Sequence, residues 1–361
     1  MKKLQFGEEK CHKIHIGCDN SICLSLSIDK WKVKNIKQMD ISKSTLEDIY
    51  DGAHEIEDSY EEKYLGDVIS KSGKNAKNIE ARAKKGLGIM KQILSILEEL
   101  CFGKHFFTVF KILRESLFLN SILLNSEVWY NMKKTDIEEL EKVDNILLKK
   151  VLEVPSSTPT AILHLELGTV PIRFILKTRR LMFLHYALQE DENSLLHKFL
   201  MAQIGTPKEG DWWLSVLQDI NDLKLEVTLY EIKNMTKETF KTRVKLAASQ
   251  DALKWLKFQK LKLNKVKNIS HEKLEIQPYF SSANLSTHQK KFLFTVRSRM
   301  LFLRSNFSHM HKDVFCQLCS KTEQIKERFH DSQQHSDMIK PEKFTIFLES
   351  KYQKRNGIED K

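Results

Sequence analysis

The chain has 361 residues, of which 41% are hydrophobic, enough to fill the cores of two or three domains and to exclude a polypeptide that is disordered throughout. Lys and Arg number 59 against 48 Asp and Glu, and the formal net charge of +11 favours polyanionic partners. There is no basic start followed by an apolar run and a small-residue cleavage site, and no stretch approaches the roughly 18 apolar residues of a membrane span, so an intracellular protein of the nucleus or cytoplasm, without a membrane partner, is expected.

In chain order, Ile22, Leu24, Leu26 and Ile28 alternate with Cys23, Ser25 and Ser27, a period-two pattern that predicts a strand, with Asp29 and Lys30 turning into Trp31 and Val33. Residues 1–70 therefore read as a small β region. From Asn75 the period becomes helical, and stretches 75–100, 104–131 and 135–154 predict three packed helices over residues 71–155. The third opens with Thr135 and Glu138 at capping-box spacing, carries Ile137, Leu140, Leu147, Leu148 and Val151 on one stripe, and ends before Pro155.

Residues 156–276 read as a second helical region. Pro171 starts a helix that runs to about residue 200, and Gly205, Pro207 and Gly210 break it. Further helices are predicted over 212–223 and 236–263, the latter with Phe240, Val244, Ala247, Trp255 and Phe258 at core spacing. Pro278 and several serines make 277–286 a linker, and a last helix is predicted over 287–304 within a region 277–361. The expected fold is mainly α, a small N-terminal β-hairpin region followed by helical bundles.

Three sets of basic residues recur at helical spacing. Arg173, Lys177 and Arg180 share a face apart from Ile172, Ile175 and Leu176. Lys254, Lys257, Lys260, Lys262, Lys265 and Lys267 interleave with Trp255 and Phe258, and Lys290, Arg297 and Arg304 fall at heptad spacing. Such stripes suit a phosphate backbone, whereas a solvated outer face of a bundle needs the same pattern for solubility alone. Trp255 offers a stacking surface, but it falls on the stripe of Phe240, Val244 and Phe258, which favours the core. The candidates for contact with RNA or DNA, without sequence readout, are Arg173, Lys177, Arg180, Lys254, Lys257, Lys290, Arg297 and Arg304.

The order of four short segments, from Phe6 to Cys11, from Lys63 to Asp67, from Asn78 to Tyr130 and from Arg297 to Cys319, resembles the region after the catalytic strands of LINE-type (non-LTR) retrotransposon reverse transcriptases. Phe6, Gly7, Glu8, Glu9, Lys10 and Cys11 are similar to the strand and turn that bear the family's lysine. Lys63, Tyr64, Leu65, Gly66 and Asp67 are similar to its YLG hairpin. Asn78, Ile79, Glu80, Ala81 and Arg82, then Leu113, Arg114, Glu115 and Ser116, then Asn125, Ser126, Glu127, Val128, Trp129 and Tyr130 resemble its helical thumb. Arg297, Ser298, Arg299, Met300, Ser305, Asn306 and Phe307 lead to Cys316 and Cys319, as in elements that end with a zinc knuckle. The resemblance implies the end of the palm over 1–70, a thumb over 71–155, a connection region over 156–276 and a knuckle region over 277–361.

The family's polymerisation uses two metal ions held by paired carboxylates in an Asp-Asp strand upstream of the lysine segment. No Asp-Asp pair occurs in this chain, and Met1 stands directly before that segment. The resemblance thus implies a truncated, nucleic-acid-binding remnant without enzymatic activity, and Lys10 then reads as a surface lysine. The alternative is a helical interaction or scaffold protein derived from a decayed element.

Cys316-x2-Cys319-x10-His330-x4-His335 places two thiolates on a tight turn and two imidazoles about one helical turn apart, close to the spacing of a closed structural zinc site. The family usually closes its knuckle with Cys-Cys-His-Cys, so His335 departs from the pattern, and a decayed knuckle with free thiols is the competing reading. Cys11, His12, His15, Cys18 and Cys23 match no standard ligand spacing and read as alternating strand residues. A zinc-holding knuckle predicts one zinc per chain through Cys316, Cys319, His330 and His335, lost in a Cys316→Ser, Cys319→Ser variant. Metal analysis of both proteins checks this, and equal zinc in the two rules the site out.

Overall fold

The computed structural model describes residues 61–300 except 65, 71–73, 101–104, 264–265, 267–268 and 299. The strand predicted at 22–28, the lysine segment, Arg304 and the Cys/His knuckle lie outside the described residues. The chain divides into two compact units, Met1–Ala81 and Arg82–Lys361. Its fold is mainly α, with an antiparallel hairpin followed by helices.

In the first unit, β1 (Glu61–Tyr64) pairs with β2 (Asp67–Ser70), Tyr64 lying opposite Asp67 and Glu61 opposite Ser70. The first turn of α1 (Ala76–Leu100) ties to this hairpin. Asn78 donates to the Asp67 carboxylate at 2.9 Å, and its amide oxygen accepts the Val68 N–H at 3.2 Å.

The second unit continues α1 and adds α2 (Phe106–Leu113), which runs through a π-type turn (Arg114–Leu119) into α3 (Asn120–Ile122). A 3-10 turn (Ser126–Val128) precedes α4 (Lys134–Leu152). The single helix predicted over 104–131 is thus four segments, α2, the π turn, α3 and the 3-10 turn, and Arg114, Phe118 and Leu119 of the wider π turn are buried together. The helices come close at Gly86, where a Cβ would sit 2.9 Å from Ile122 and 3.1 Å from Val143. The capping box expected at Thr135 does not form. The cap stands two residues earlier, where the Asp136 carboxylate accepts the Lys133 N–H at 3.1 Å.

Then follow α5 (Thr160–Leu167), α6 (Ile172–Gln189), α7 (Leu195–Gly205), α8 (Trp212–Asp222), α9 (Leu229–Asn234) and α10 (Lys237–Leu261). The helix predicted from Pro171 to about residue 200 is two, because Ser194 starts α7 by accepting the His197 N–H at 3.1 Å. Leu181, Leu184, Trp213, Val216, Phe240, Val244 and Ala248 form one apolar core among α6, α8 and α10. In α5, every residue from Ala161 to Leu167 is buried, as befits a helix that is apolar nearly all round. The buried line of α10 is Phe240, Val244, Ala248, Ala252, Leu256 and Lys260. Phe258, expected in the core, is instead 58% exposed.

Residues 277–286 are not a linker. Leu167 forms an antiparallel bridge with Ile276, and α11 (Pro278–Ser281) inserts Phe280, whose ring centroid lies 4.3 Å from that of Phe107. The last helix described, α12 (Thr287–Arg297), starts at a Ser286 and Gln289 capping box and ends short of the predicted residue 304. No helix among the described residues is long and apolar enough to cross a membrane.

Gly168 makes the close approach of α5 to the 275–276 backbone possible. Its φ is +61°, and a Cβ there would lie 2.2 Å from the Glu275 carbonyl carbon and the Ile276 nitrogen. Gly168→Ala is expected to cost at least about 2 kcal/mol of unfolding free energy in denaturant titration. Gly88→Ala, in mid-helix with nothing within 4 Å, is expected to add about 0.5–1 kcal/mol.

Candidate nucleic-acid interface

The basic face of α6 is paired within the fold. Arg173 grips Glu141 of α4 with two hydrogen bonds of 2.8 and 2.6 Å, and its guanidinium lies 4.3 Å from the Trp255 ring centroid. The Glu141 hydrogen bonds raise the Arg173 pKa further against the effect of burial. Lys177 meets Asp222 of α8 at 2.6 Å. Arg180 is buried, holds Asp219 at 2.6 and 3.0 Å and donates to the Trp129 carbonyl at 3.3 Å. The face expected to follow a phosphate backbone thus docks α6 against α4 and α8. Trp255 packs on the core beneath Arg173, which agrees with its place on the buried stripe.

The residues of α12 also turn inward. Lys290 is fully buried, and burial lowers its pKa. Arg297 binds the carboxylate of Glu166 through Nε at 3.0 Å and Nη2 at 3.1 Å. Glu166 itself is fully buried and also accepts from the Tyr279 hydroxyl at 2.7 Å and from His271 Nε2 at 2.9 Å. Burial alone would push the Glu166 carboxyl upward, but His271, Arg297 and Tyr279 together hold it below the usual carboxylate range. Burial, and then the adjoining Glu166 charge, raise the Tyr279 hydroxyl well above its ordinary value.

A second buried pair joins the π turn to α4: Arg114 binds Asp144 at 2.8 and 2.6 Å and reaches the Val170 carbonyl at 3.3 Å. His164 of α5 is also buried, bonded to Thr169 at 2.9 Å and Asn145 at 3.2 Å, and burial drops its pKa to about 4. Apart from Lys290 and Arg297, picked out by their heptad spacing, none of these groups stood out by periodicity. The one local signal was a charged residue, Glu166, in the apolar run from Ala161 to Leu167.

The C-terminal half of α10 is different. Residues 252–271 contain six lysines and no Asp or Glu. Lys254 and Lys262 are exposed and Lys257 is half-buried. None of the three meets a carboxylate among the described residues. Lys260 turns inward to the Ile269 carbonyl and is desolvated, which lowers its pKa. Lys265 and Lys267 lie outside the described residues. Successive steps of four residues advance about 400°, so Lys254, Phe258 and Lys262 stay within about 80° of one another on the helix surface. The Lys262 ammonium sits 4.7 Å from the Phe258 ring centroid. Lys254 lines a groove with Asp222, Glu226 and Asp251 as well as Lys224 and Arg243, and beyond it Lys257 and Lys262 continue the basic surface away from those carboxylates.

No group of three or more His, Cys, Asp and Glu side chains able to hold a metal ion occurs among the described residues. No family model, curated protein or solved structure matches the chain.

The Glu166 cluster carries a stability prediction. Glu166→Gln leaves Arg297 and His271 beside an uncharged amide, and the expected loss is about 3–5 kcal/mol near neutral pH. The carboxyl's folded pKa is depressed, so its contribution is full above the unfolded value of about 4.3 and fades as pH falls through the folded one. Denaturant titrations of wild type and Glu166→Gln should therefore differ at pH 7 and converge in acid. An equal gap at both pH values contradicts this account.

Proposed function

We propose that this chain binds RNA or DNA through the phosphate backbone, with little sequence readout, on the outer face of α10. The observation that carries the reading is the uncompensated charge of residues 252–271, with six lysines and no carboxylate, presented by exposed Lys254 and Lys262 and half-buried Lys257. Each lysine that meets a phosphate releases condensed counterions, and this term is indifferent to base sequence. The likeness of the four ordered segments to LINE-type reverse transcriptases points the same way. On that reading the chain handles template or primer.

The test is the salt dependence of binding to a fluorescein-labelled oligouridylate, read by anisotropy with the full chain. The logarithm of affinity should fall with the logarithm of salt by about 0.7 per phosphate contact on a single strand. Lys254→Ala, Lys257→Ala, Lys262→Ala together should flatten that slope by about two units and leave the fold intact. Replacing Arg173, Lys177 and Arg180 should instead destabilise the fold, since each is ion-paired within it. A salt-independent affinity, or an unchanged slope in the lysine variant, favours a helical scaffold whose lysines serve solubility.

A further inference from the structure

We infer that Phe258 is a stacking platform for an unpaired nucleobase, so that the α10 face selects single-stranded nucleic acid over duplex. The inference rests on the phosphate-binding reading above and adds to it the feature that chooses the strand state. A single exposed apolar side chain is ordinary, but an aromatic ring set between lysines beside a second exposed apolar residue makes a mixed basic and apolar face that suits a ligand with both characters. Phe258 is 58% exposed although α10 fills the core with Phe240, Val244, Ala248, Ala252 and Leu256. Its neighbours one turn away on either side are Lys254 and Lys262, neither matched by a carboxylate among the described residues, and Leu261 beside it is 63% exposed.

This combination fits a nucleic-acid strand better than an apolar protein surface. A protein partner that buried the ring would also have to desolvate two or three lysines, each of which then needs a counter-charge. A single strand supplies both parts at once, phosphates for the ammonium groups and a base face for the ring. The eight-residue span from Lys254 to Lys262 is about 12 Å along the helix axis, long enough for phosphates on either side of one stacked base. In a duplex the base faces are already stacked on each other, so the lysines keep their partners while the ring has none. Lys262 over the ring holds a charge-ring contact that leaves most of the side chain open.

The experiment compares wild type, Phe258→Ala, Phe258→Trp and the triple lysine variant, each binding a single-stranded oligouridylate and an RNA duplex of equal length across a salt series. Phe258→Ala should weaken single-strand binding by about 5-fold to 100-fold, the range of one lost base stack, without changing the salt slope. Its duplex affinity should not move, and Phe258→Trp should match or exceed wild type. A 5-bromouridine oligonucleotide should photocrosslink to the peptide holding Phe258. Because the ring is on the outside, circular dichroism of the variants should overlay wild type.

If Phe258→Ala binds the single strand as tightly as wild type while the lysine variant flattens the slope, the stacking inference fails and phosphate binding stands. If neither nucleic acid binds, or the lysine variant keeps the full slope, the underlying reading fails and takes stacking with it. If Phe258→Ala abolishes self-association of the chain and leaves nucleic-acid affinity unchanged, the ring belongs to a protein interface and the inference is overturned.

Discussion

A carboxylate removed from water is unstable unless several donors converge on it, and Glu166 meets that condition with residues drawn from far along the chain. His271, Tyr279 and Arg297 lie 105, 113 and 131 positions away. One buried charge therefore fixes three segments at once: the stretch before α11, α11 itself and the end of α12. The Leu167–Ile276 bridge and the Gly168 approach are the backbone counterpart of the same arrangement. Arg114 and Asp144 act likewise between the π turn and α4. Contacts of this kind run across the positions near 155 and 276 where composition suggested breaks.

Long-range pairing also explains which parts of the basic surface could be read from sequence. Spacings of three and four residues put Arg173, Lys177 and Arg180 on one side of a helix whatever that side faces. Their partners Glu141, Asp222 and Asp219 sit 32, 45 and 39 positions away on α4 and α8, so no local pattern separates a solvated stripe from an ion-paired seam. Arg297 is the same case with Glu166. What local sequence did carry was a stretch without Asp or Glu from 252 to 271, and Lys254, Lys257 and Lys262 within it form no ion pair among the described residues.

The helices were legible where their signals are local. Pro171 before α6, Trp212 at the start of α8, Thr236 capping α10 and the Ser286 cap of α12 all act within one turn, and each predicted start agrees with the observed one to within a residue. The short α5 and α9 were missed, and so was the division between α6 and α7. At α5 the periodicity vanishes because all sides are buried, leaving no polar face to mark a helix. Residues 277–286 looked like a linker because Pro278 and the serines are turn formers, yet Phe280 is held by Phe107 from the start of α2.

The exposure of Phe258 follows from how α10 changes neighbours. Phe240 and Phe258 are eighteen residues apart, five whole turns, and so share one azimuth on the helix. A helix packed on one straight stripe would bury both, and that is the arrangement the periodicity suggested. The observed buried line instead steps by four residues through Val244, Ala248, Ala252, Leu256 and Lys260, gaining about 40° per step. By Leu256 the buried side has turned through about 160°, because the partner is no longer the α6 and α8 core but Ala161 and Leu165 of α5. The azimuth that is core at the beginning of α10 is therefore solvent at its end. That rotation carries Phe258 outward together with Lys254 and Lys262, and it explains how one regular helix can serve the core at one end and offer a basic, aromatic face at the other.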